Sequence, residues 1–430
     1  MNLNIKKCSG FQGEIFVPGD KSISHRAAFI GAMARGETRI ENFLFSGDCL
    51  STLFCLRNLG VEFVRRKNNI VEIGGKDLFL FHESSAVLMA GNSGTTARLL
   101  MGLVAGQDFF SVIEGDPSLK KRPMKRVAEP LERMGARIIG RCKGNVLPMA
   151  VNGASLNPIV YKLPVPSGQL KSAVILAALL ADGESRITEP VSCRDHTERL
   201  LKFFGADISR EGNVIHVQGR KRLEEGRITI PGDISSAAFL LTAAVLSEKS
   251  KVILPNVGVN PTRTGFLDIL GKMGAKIEIS EEKITGGEPA ATLTAFAGDL
   301  EGVELEAKDI PSMIDEVPLL ALVGALARGR TVVRGASELR IKESDRIGAV
   351  VRNLRKMGAE IEEREDGFMV EGPQKLRGAV VDSEGDHRIA MCLAVAGLSA
   401  EGETIVRDFE CCGISYPGFT DVLKRWEYGH

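Results

Sequence analysis

Six cations, Lys21, Arg26, Arg122, Lys342, Arg346 and Arg388, lie at or near stretches that read as helix starts, with Asp315, Glu316 and Glu343 among them. The first turn of a helix presents unpaired N–H groups and partial positive charge, so it attracts anions. Lys21 and Ser22 at such a start, with Arg26 one turn on, can clamp a carboxylate or phosphate; standing alone, the same residues are a cap with solvated cations. Gly91-Asn92-Ser93-Gly94-Thr95-Thr96 offers small residues that let a ligand reach the backbone, or simply a tight turn with a Ser cap. In Lys342-Glu343-Ser344-Asp345-Arg346 a helical spacing would put two cations on one face, where they repel unless an anion joins them. The cations beside Glu343 would favour its ionised form. A phosphate monoester carries about −1.5 to −2 charges at neutral pH. Two substrates with a phosphate and a carboxylate each would bring roughly five to six negative charges, which matches the cations.

The elements that must position these groups repeat. The openings Asp20-Lys21-Ser22, Asn92-Ser93-Gly94, Ser167-Gly168-Gln169, Asp233-Ile234-Ser235, Asp315-Glu316 and Asp386-His387-Arg388 are each followed by a small-residue apolar run such as SAVILAALLA. Successive openings are 67 to 80 residues apart. A second element keeps step: a leucine, then a bulky apolar residue, then Gly60, Gly135, Gly205, Gly274 or Gly358, where a left-handed helix C-cap belongs. Alternating strands follow, broken at Asn68-Asn69, Glu211-Gly212-Asn213 and Asp366-Gly367, which mark hairpin turns. Each repeat therefore reads helix, strand, helix, strand, strand, the last one shortened to a helix over Phe419–Trp426. Three repeats per domain give two α/β lobes, with crossings at Pro18-Gly19-Asp20 and within Gly226–Gly232.

Composition narrows the function. A chain of 430 residues can bury two cores, and 55 basic against 55 acidic residues leave no global field to recruit nucleic acid or an acidic membrane. Lys120-Lys121-Arg122-Pro123-Met124-Lys125-Arg126 is the densest cationic run, but it lacks the aromatics of a nucleic-acid surface; the turn before it could aim Arg122 into a cleft. The eight cysteines have no metal-ligand spacing, and adjacent Cys411-Cys412 read as buried or loop thiols. Six scattered histidines, no GxxxxGK and no GxSxG argue against a metal site, a P-loop and a serine triad. No signal core and no membrane-length apolar stretch is seen, so a cytoplasmic protein is expected.

The segments PGDKSISHRA, GNSGTTARLL, LKKRPM, SGQLKSAVILAALLADG, RDHTERLLKFFGA, PGDISSAAFLL, SMIDEVPLLA, ELRIKESDRI, DHRIAM and ISYPGF, in that order, resemble the EPSP synthase family from about residue 10 onward. RDHTE, PSMIDE and NPTRTG look closer to its class II bacterial branch. The resemblance implies an α/β fold of two inside-out barrels with helices within, six βαβαββ units in all. One lobe would be 20–226 and the other 1–19 with 227–430, with the active site in the cleft between them. It implies transfer of the enolpyruvyl group of phosphoenolpyruvate to the 5-hydroxyl of shikimate 3-phosphate by addition and elimination, without metal or organic cofactor, in aromatic amino-acid biosynthesis. By motif, Lys21, Ser22, Arg26, Ser167, Gln169, Arg194, Asp315 and Lys342 would hold shikimate 3-phosphate. Lys21, Gly94, Arg122, Gln169, Arg346 and Arg388 would hold phosphoenolpyruvate. Asp315 would be general base, and Glu343 and Lys21 the proton donors.

Some positions depart from the family pattern. Ile414 stands where many members carry a lysine, and Gly168 where Ser or Ala is usual. Gly94 leaves room for the inhibitor glyphosate, whereas Leu99 replaces a proline often found in sensitive members. A monomer is the expected form. The sister enzyme acting on UDP-N-acetylglucosamine normally has a reactive loop cysteine, absent from residues 116–123 here, and an asparagine in place of Ser22. A non-catalytic anion-binding protein on the same scaffold would have no need of both Asp315 and Glu343.

Overall fold

The computed structural model describes residues 1–428. Their contacts gather into two compact units, each with its own apolar core. One unit is Gly19–Ile230 with Ile284–Glu288; the other is Met1–Pro18, Pro231–Lys283 and the chain from Pro289. The first unit holds α1 (Lys21–Met33), α2 (Gly47–Asn58), α3 (Gly94–Ala105), α4 (Lys125–Met134), α5 (Gly168–Leu180) and α6 (His196–Phe203). The second holds α7 (Ile234–Leu246), α8 (Gly265–Lys272), α9 (Val317–Leu326), α10 (Arg346–Lys356), α11 (His387–Ser399) and α12 (Phe419–Tyr428).

The odd-numbered helices carry the small apolar runs and are buried on all sides beyond their first residues. A helix apolar all round has no face to give to water, so it takes the centre of the unit. The even-numbered helices α2 to α10 bury one face and expose charges on the other. The expected C-caps are present: Gly60, Gly135, Gly205, Gly274 and Gly358 have φ of 88°, 121°, 82°, 97° and 90°.

Six sheets surround these helices. In the first, Glu37–Glu41 lies parallel to Arg227–Thr229 on one side and antiparallel to Ile70–Gly74 on the other, with Glu62–Arg66 at the far edge. The same order recurs around the strands that follow α3, α5, α7 and α9. In the last, Glu403–Arg407 pairs in parallel with Val380–Asp382 and antiparallel with Leu3–Lys6.

Two pairings join ends of the chain that lie far apart in sequence. Arg227–Thr229, after the third repeat, supplies the short parallel strand of the first; Gln12–Glu14 does the same for the strand Lys251–Gly258 after α7. The first pairing explains why that unit runs on to Ile230 rather than stopping at residue 226: the segment is hydrogen-bonded into its sheet. Ile284–Glu288, expected with the other lobe, also joins this unit, where Thr285 donates to the Thr229 carbonyl at 3.0 Å and Glu288 meets His196 at 2.8 Å. No helix among the described residues is long and apolar enough to cross a membrane.

Candidate functional site

In the Gly19–Ile230 unit three core-helix starts meet. Asp20, Ser93 and Ser167 cap α1, α3 and α5 through their side chains. Side chains then tie the starts together. Arg26, 3% exposed, donates to the Ser22 carbonyl (2.9 Å), the Gly168 carbonyl (3.2 Å), Ser172 Oγ (2.8 Å) and Thr197 Oγ1 (2.8 Å). Gln169 donates to Thr95 Oγ1 at 2.9 Å and accepts from Arg98 Nη1 at 2.5 Å. Lys21 Nζ lies 3.2 Å from Asp48 Oδ2, and Arg194 Nη1 donates to Ser22 Oγ at 3.3 Å.

Arg122 is indeed turned inward. It donates to Asn92 Oδ1 (2.5 Å), the Asn92 carbonyl (3.3 Å) and Ser118 Oγ (3.2 Å), while Asp116 accepts from the Asn92 amide at 2.8 Å. Asn92 in the loop before α3 and Ser118 in the turn before the cationic run hold this one member of the run at 7% exposure, whereas Lys121 beside it is exposed. An added Cβ on Gly94 would stand 2.8 Å from Arg98 Nη1 and 3.5 Å from Arg122 Nη1. Gly168 likewise faces Arg194: a Cβ there would lie 3.2 Å from the Arg194 Cβ. The glycine at this position, where Ser or Ala is usual, therefore lies close against the Arg194 stem.

The second unit brings together the start of α7, the turn before α9, and the starts of α10 and α11. Lys342 to Asp345 do not continue a helix; Asp345 caps α10 by accepting from the Gly348 N–H at 3.1 Å. Lys342 and Arg346 therefore do not share a helical face as their spacing suggested. Arg346, 2% exposed, instead meets three carboxylates: Asp386 Oδ2 at 2.8 Å, Asp315 Oδ1 at 3.0 Å and Glu343 Oε2 at 2.6 Å. Burial opposes its charge, but Asp386, Glu343 and Asp315 outweigh burial and raise its pKa further. One guanidinium thus orients both candidate acid–base carboxylates. Asp315 lies in the turn ahead of α9 rather than within its first turn.

Near this group lie Glu316 and Arg388, both read from the sequence at helix openings, and Arg263, which spacing did not single out. Glu316 is 1% exposed, and burial, then Asp315, holds its carboxyl above the usual range against the pull of Arg263 and Arg388. Arg263 donates to Ser235 Oγ at 2.6 Å and lies 3.6 Å from Asp233. Arg388, 4% exposed, sits with its guanidinium 5.9 Å from the Phe239 ring. Arg98 could have been found as the residue one turn after Gly94; Asp48 carried no such signal, and Asp386 was legible only as a helix opening. Ile414 ends a 3-10 turn over Phe409–Ile414 and is partly buried. Among the described residues no group of three or more metal-ligating side chains is gathered.

The geometry of the first unit suits anions held by cations and backbone dipoles; that of the second suits proton transfer by carboxylates oriented on an arginine. Comparisons with known proteins show what the chain is similar to. The sequence profile of the family described as EPSP synthase (3-phosphoshikimate 1-carboxyvinyltransferase) matches residues 5–423. The 3-phosphoshikimate 1-carboxyvinyltransferase of Desulforamulus reducens is 50% identical over 425 residues, covering 99% of each chain. That of Pelotomaculum thermopropionicum is 52% identical over 429 residues, again covering 99% of each. The crystal structure of an EPSP synthase from Acinetobacter baumannii superposes with a TM-score of 0.88 at 42% identity, covering 99% of this chain and 97% of that one.

Proposed function

The chain belongs to the EPSP synthase family, and from that premise we propose that it transfers the enolpyruvyl group of phosphoenolpyruvate to the 5-hydroxyl of shikimate 3-phosphate, releasing phosphate. Lys21, Ser22, Arg26, Ser167, Gln169 and Arg194 bind shikimate 3-phosphate, with Asp315 and Lys342 on its hydroxyl groups. Lys21, the Gly94 backbone, Arg122, Gln169, Arg346 and Arg388 bind phosphoenolpyruvate. In the addition step Asp315 takes the 5-hydroxyl proton as the oxygen attacks C2 of phosphoenolpyruvate, and the methylene carbon gains a proton from Glu343 or Lys21. In the elimination step the new methyl group returns a proton, the C2–O bond to phosphate breaks, and the enol ether forms. The cations stabilise charge that develops on the carboxylate and the leaving phosphate.

What supports these roles above all is Arg346, which holds Asp315 and Glu343 on one buried guanidinium. Phosphoenolpyruvate would enter by exchanging with part of that carboxylate set. The repeated sheets and buried central helices support the finer picture of two inside-out barrels of three βαβαββ units. RDHTE, PSMIDE and NPTRTG favour class II. A cytoplasmic monomer completes the proposal; for glyphosate, a candidate inhibitor at the phosphoenolpyruvate subsite, Gly94 and Leu99 point in opposite directions.

Phosphate release is measured with phosphoenolpyruvate and either shikimate 3-phosphate or UDP-N-acetylglucosamine. Release with the first acceptor alone is expected, and release with the sugar nucleotide alone would overturn the proposal. Asp315→Ala and Glu343→Gln are each expected to lower turnover at least about a hundredfold while shikimate 3-phosphate still binds. Near-normal turnover in both would remove them from the chemistry.

A further inference from the structure

The segment from Glu189 to Asp195 joins the strand Glu184–Thr188 to α6 without regular structure. It leads into Thr197, and both Arg194 and Thr197 touch the shikimate 3-phosphate half-site proposed above. The segment is fastened by one side chain on α5. Lys171 is wholly buried, and its Nζ lies 2.8 Å from Glu189 Oε1, 2.7 Å from Glu198 Oε1 and 3.0 Å from the Cys193 carbonyl oxygen. Glu189 is wholly buried too: its Oε1 accepts from the Cys193 N–H at 3.2 Å, and Arg210 lies 2.8 Å from its Oε2. Two cations thus balance two carboxylates, one at the start of the segment and one just after it.

Desolvating such a group is expensive, and apolar side chains of equal volume would commonly serve stability as well. An apolar plug could not, however, hold a carbonyl and both ends of a loop in one geometry. The next residue on α5, Ser172, lies 2.7 Å from Thr197 Oγ1, and both oxygens accept from Arg26 at 2.8 Å. On the other side of the fastening, Arg194 reaches Ser22 at 3.3 Å. We infer that Lys171 is a positioning residue for substrate binding. Through Glu189, Glu198 and the Cys193 carbonyl it sets Arg194 against Ser22 and Thr197 against Arg26. The inference rests on the proposed assignment of this half-site to shikimate 3-phosphate.

Lys171→Met alone would leave Glu198 without its cation, so the test uses Glu198→Gln and the charge-balanced pair Lys171→Met with Glu198→Gln, which leaves Glu189 to Arg210. Michaelis constants for both substrates, kcat and Tm are measured, with Arg194→Ala alongside. In both clamp variants the KM for shikimate 3-phosphate is expected to rise about tenfold, as for a displaced binding group, while that for phosphoenolpyruvate stays within about twofold. A lower Tm with both Michaelis constants unchanged would make the cluster merely structural and overturn the inference. If Arg194→Ala raises the shikimate 3-phosphate KM and the clamp variants do not, the inference falls and the half-site assignment stands. If Arg194→Ala leaves it unchanged, the assignment itself falls for this residue.

Discussion

Arg122 shows how one side chain acquires a role that its neighbours lack. Asp116 orients the Asn92 amide, Asn92 and Ser118 hold the guanidinium, and Gly94, without a Cβ, lets the α3 backbone lie close to it. Lys120 in the same run meets Glu114 at 3.2 Å on the surface, and Lys121 is exposed. Loss of a charge-assisted contact commonly costs about 1.5–3 kcal/mol, or roughly ten- to a hundredfold in binding. Arg122→Ala is therefore expected to raise the KM for phosphoenolpyruvate by that order and to move the shikimate 3-phosphate KM far less. Steady-state kinetics with each substrate varied checks it; equal rises would move Arg122 out of the phosphoenolpyruvate subsite.

At the scale of elements, the helix starts are linked by a chain of buried hydroxyls and an imidazole. His25 Nδ1 on α1 lies 2.7 Å from Thr52 Oγ1 on α2, and Thr52 lies 2.7 Å from Thr96 Oγ1 on α3, which in turn meets Ser93 Oγ at 2.8 Å. Burial, then Lys21 and Arg26, holds the His25 imidazole well below its ordinary value of 6.5. A histidine kept neutral in the folded state adds its stability fully above the unfolded pKa. As pH falls below about 6.5 the unfolded chain takes up a proton that the folded chain refuses, and stability drops by up to about 1.4 kcal/mol per pH unit until the folded pKa is reached. Urea unfolding between pH 8 and pH 5 is expected to show this slope. His25→Gln, which keeps a partner for Thr52, should flatten it; an unchanged slope would show that other groups carry the acid sensitivity.

For the whole molecule, a net charge of zero conceals a division of labour. Around its helix starts the Gly19–Ile230 unit sets Lys21, Arg26, Arg98, Arg122 and Arg194 against Asp20, Asp48 and Asp116. The other unit sets Arg263, Lys342, Arg346 and Arg388 against Asp233, Asp315, Glu316, Glu343 and Asp386. The cationic set suits anchoring a phosphate before chemistry begins. Hydrogen exchange with shikimate 3-phosphate alone is expected to slow amides at Lys21–Arg26 and Gly168–Lys171 most strongly. Protection confined to the start of α11 would reverse the assignment of the two sets.

The local features of this chain were legible in its sequence because they are settled by neighbours a few residues away. Caps at Asp20, Ser93, Ser167, Asp233 and Asp386, left-handed glycines after the outer helices, and turns at Asn68-Asn69 and Gly212 all follow from backbone and side-chain chemistry within one turn. So did the all-apolar character of the central helices, which demanded burial. Tertiary structure decided what those residues meet. Six cations read as a surplus awaiting substrate; the fold gave Arg346 three carboxylates from segments up to 40 residues away. Nothing near Lys171 in the sequence marks its partners, and only folding surrounded it with Glu189 and Glu198. The strands Gln12–Glu14 and Arg227–Thr229 carry too few residues to declare their partners. Coulomb attraction and desolvation depend on distances in space, and sequence separation does not encode them.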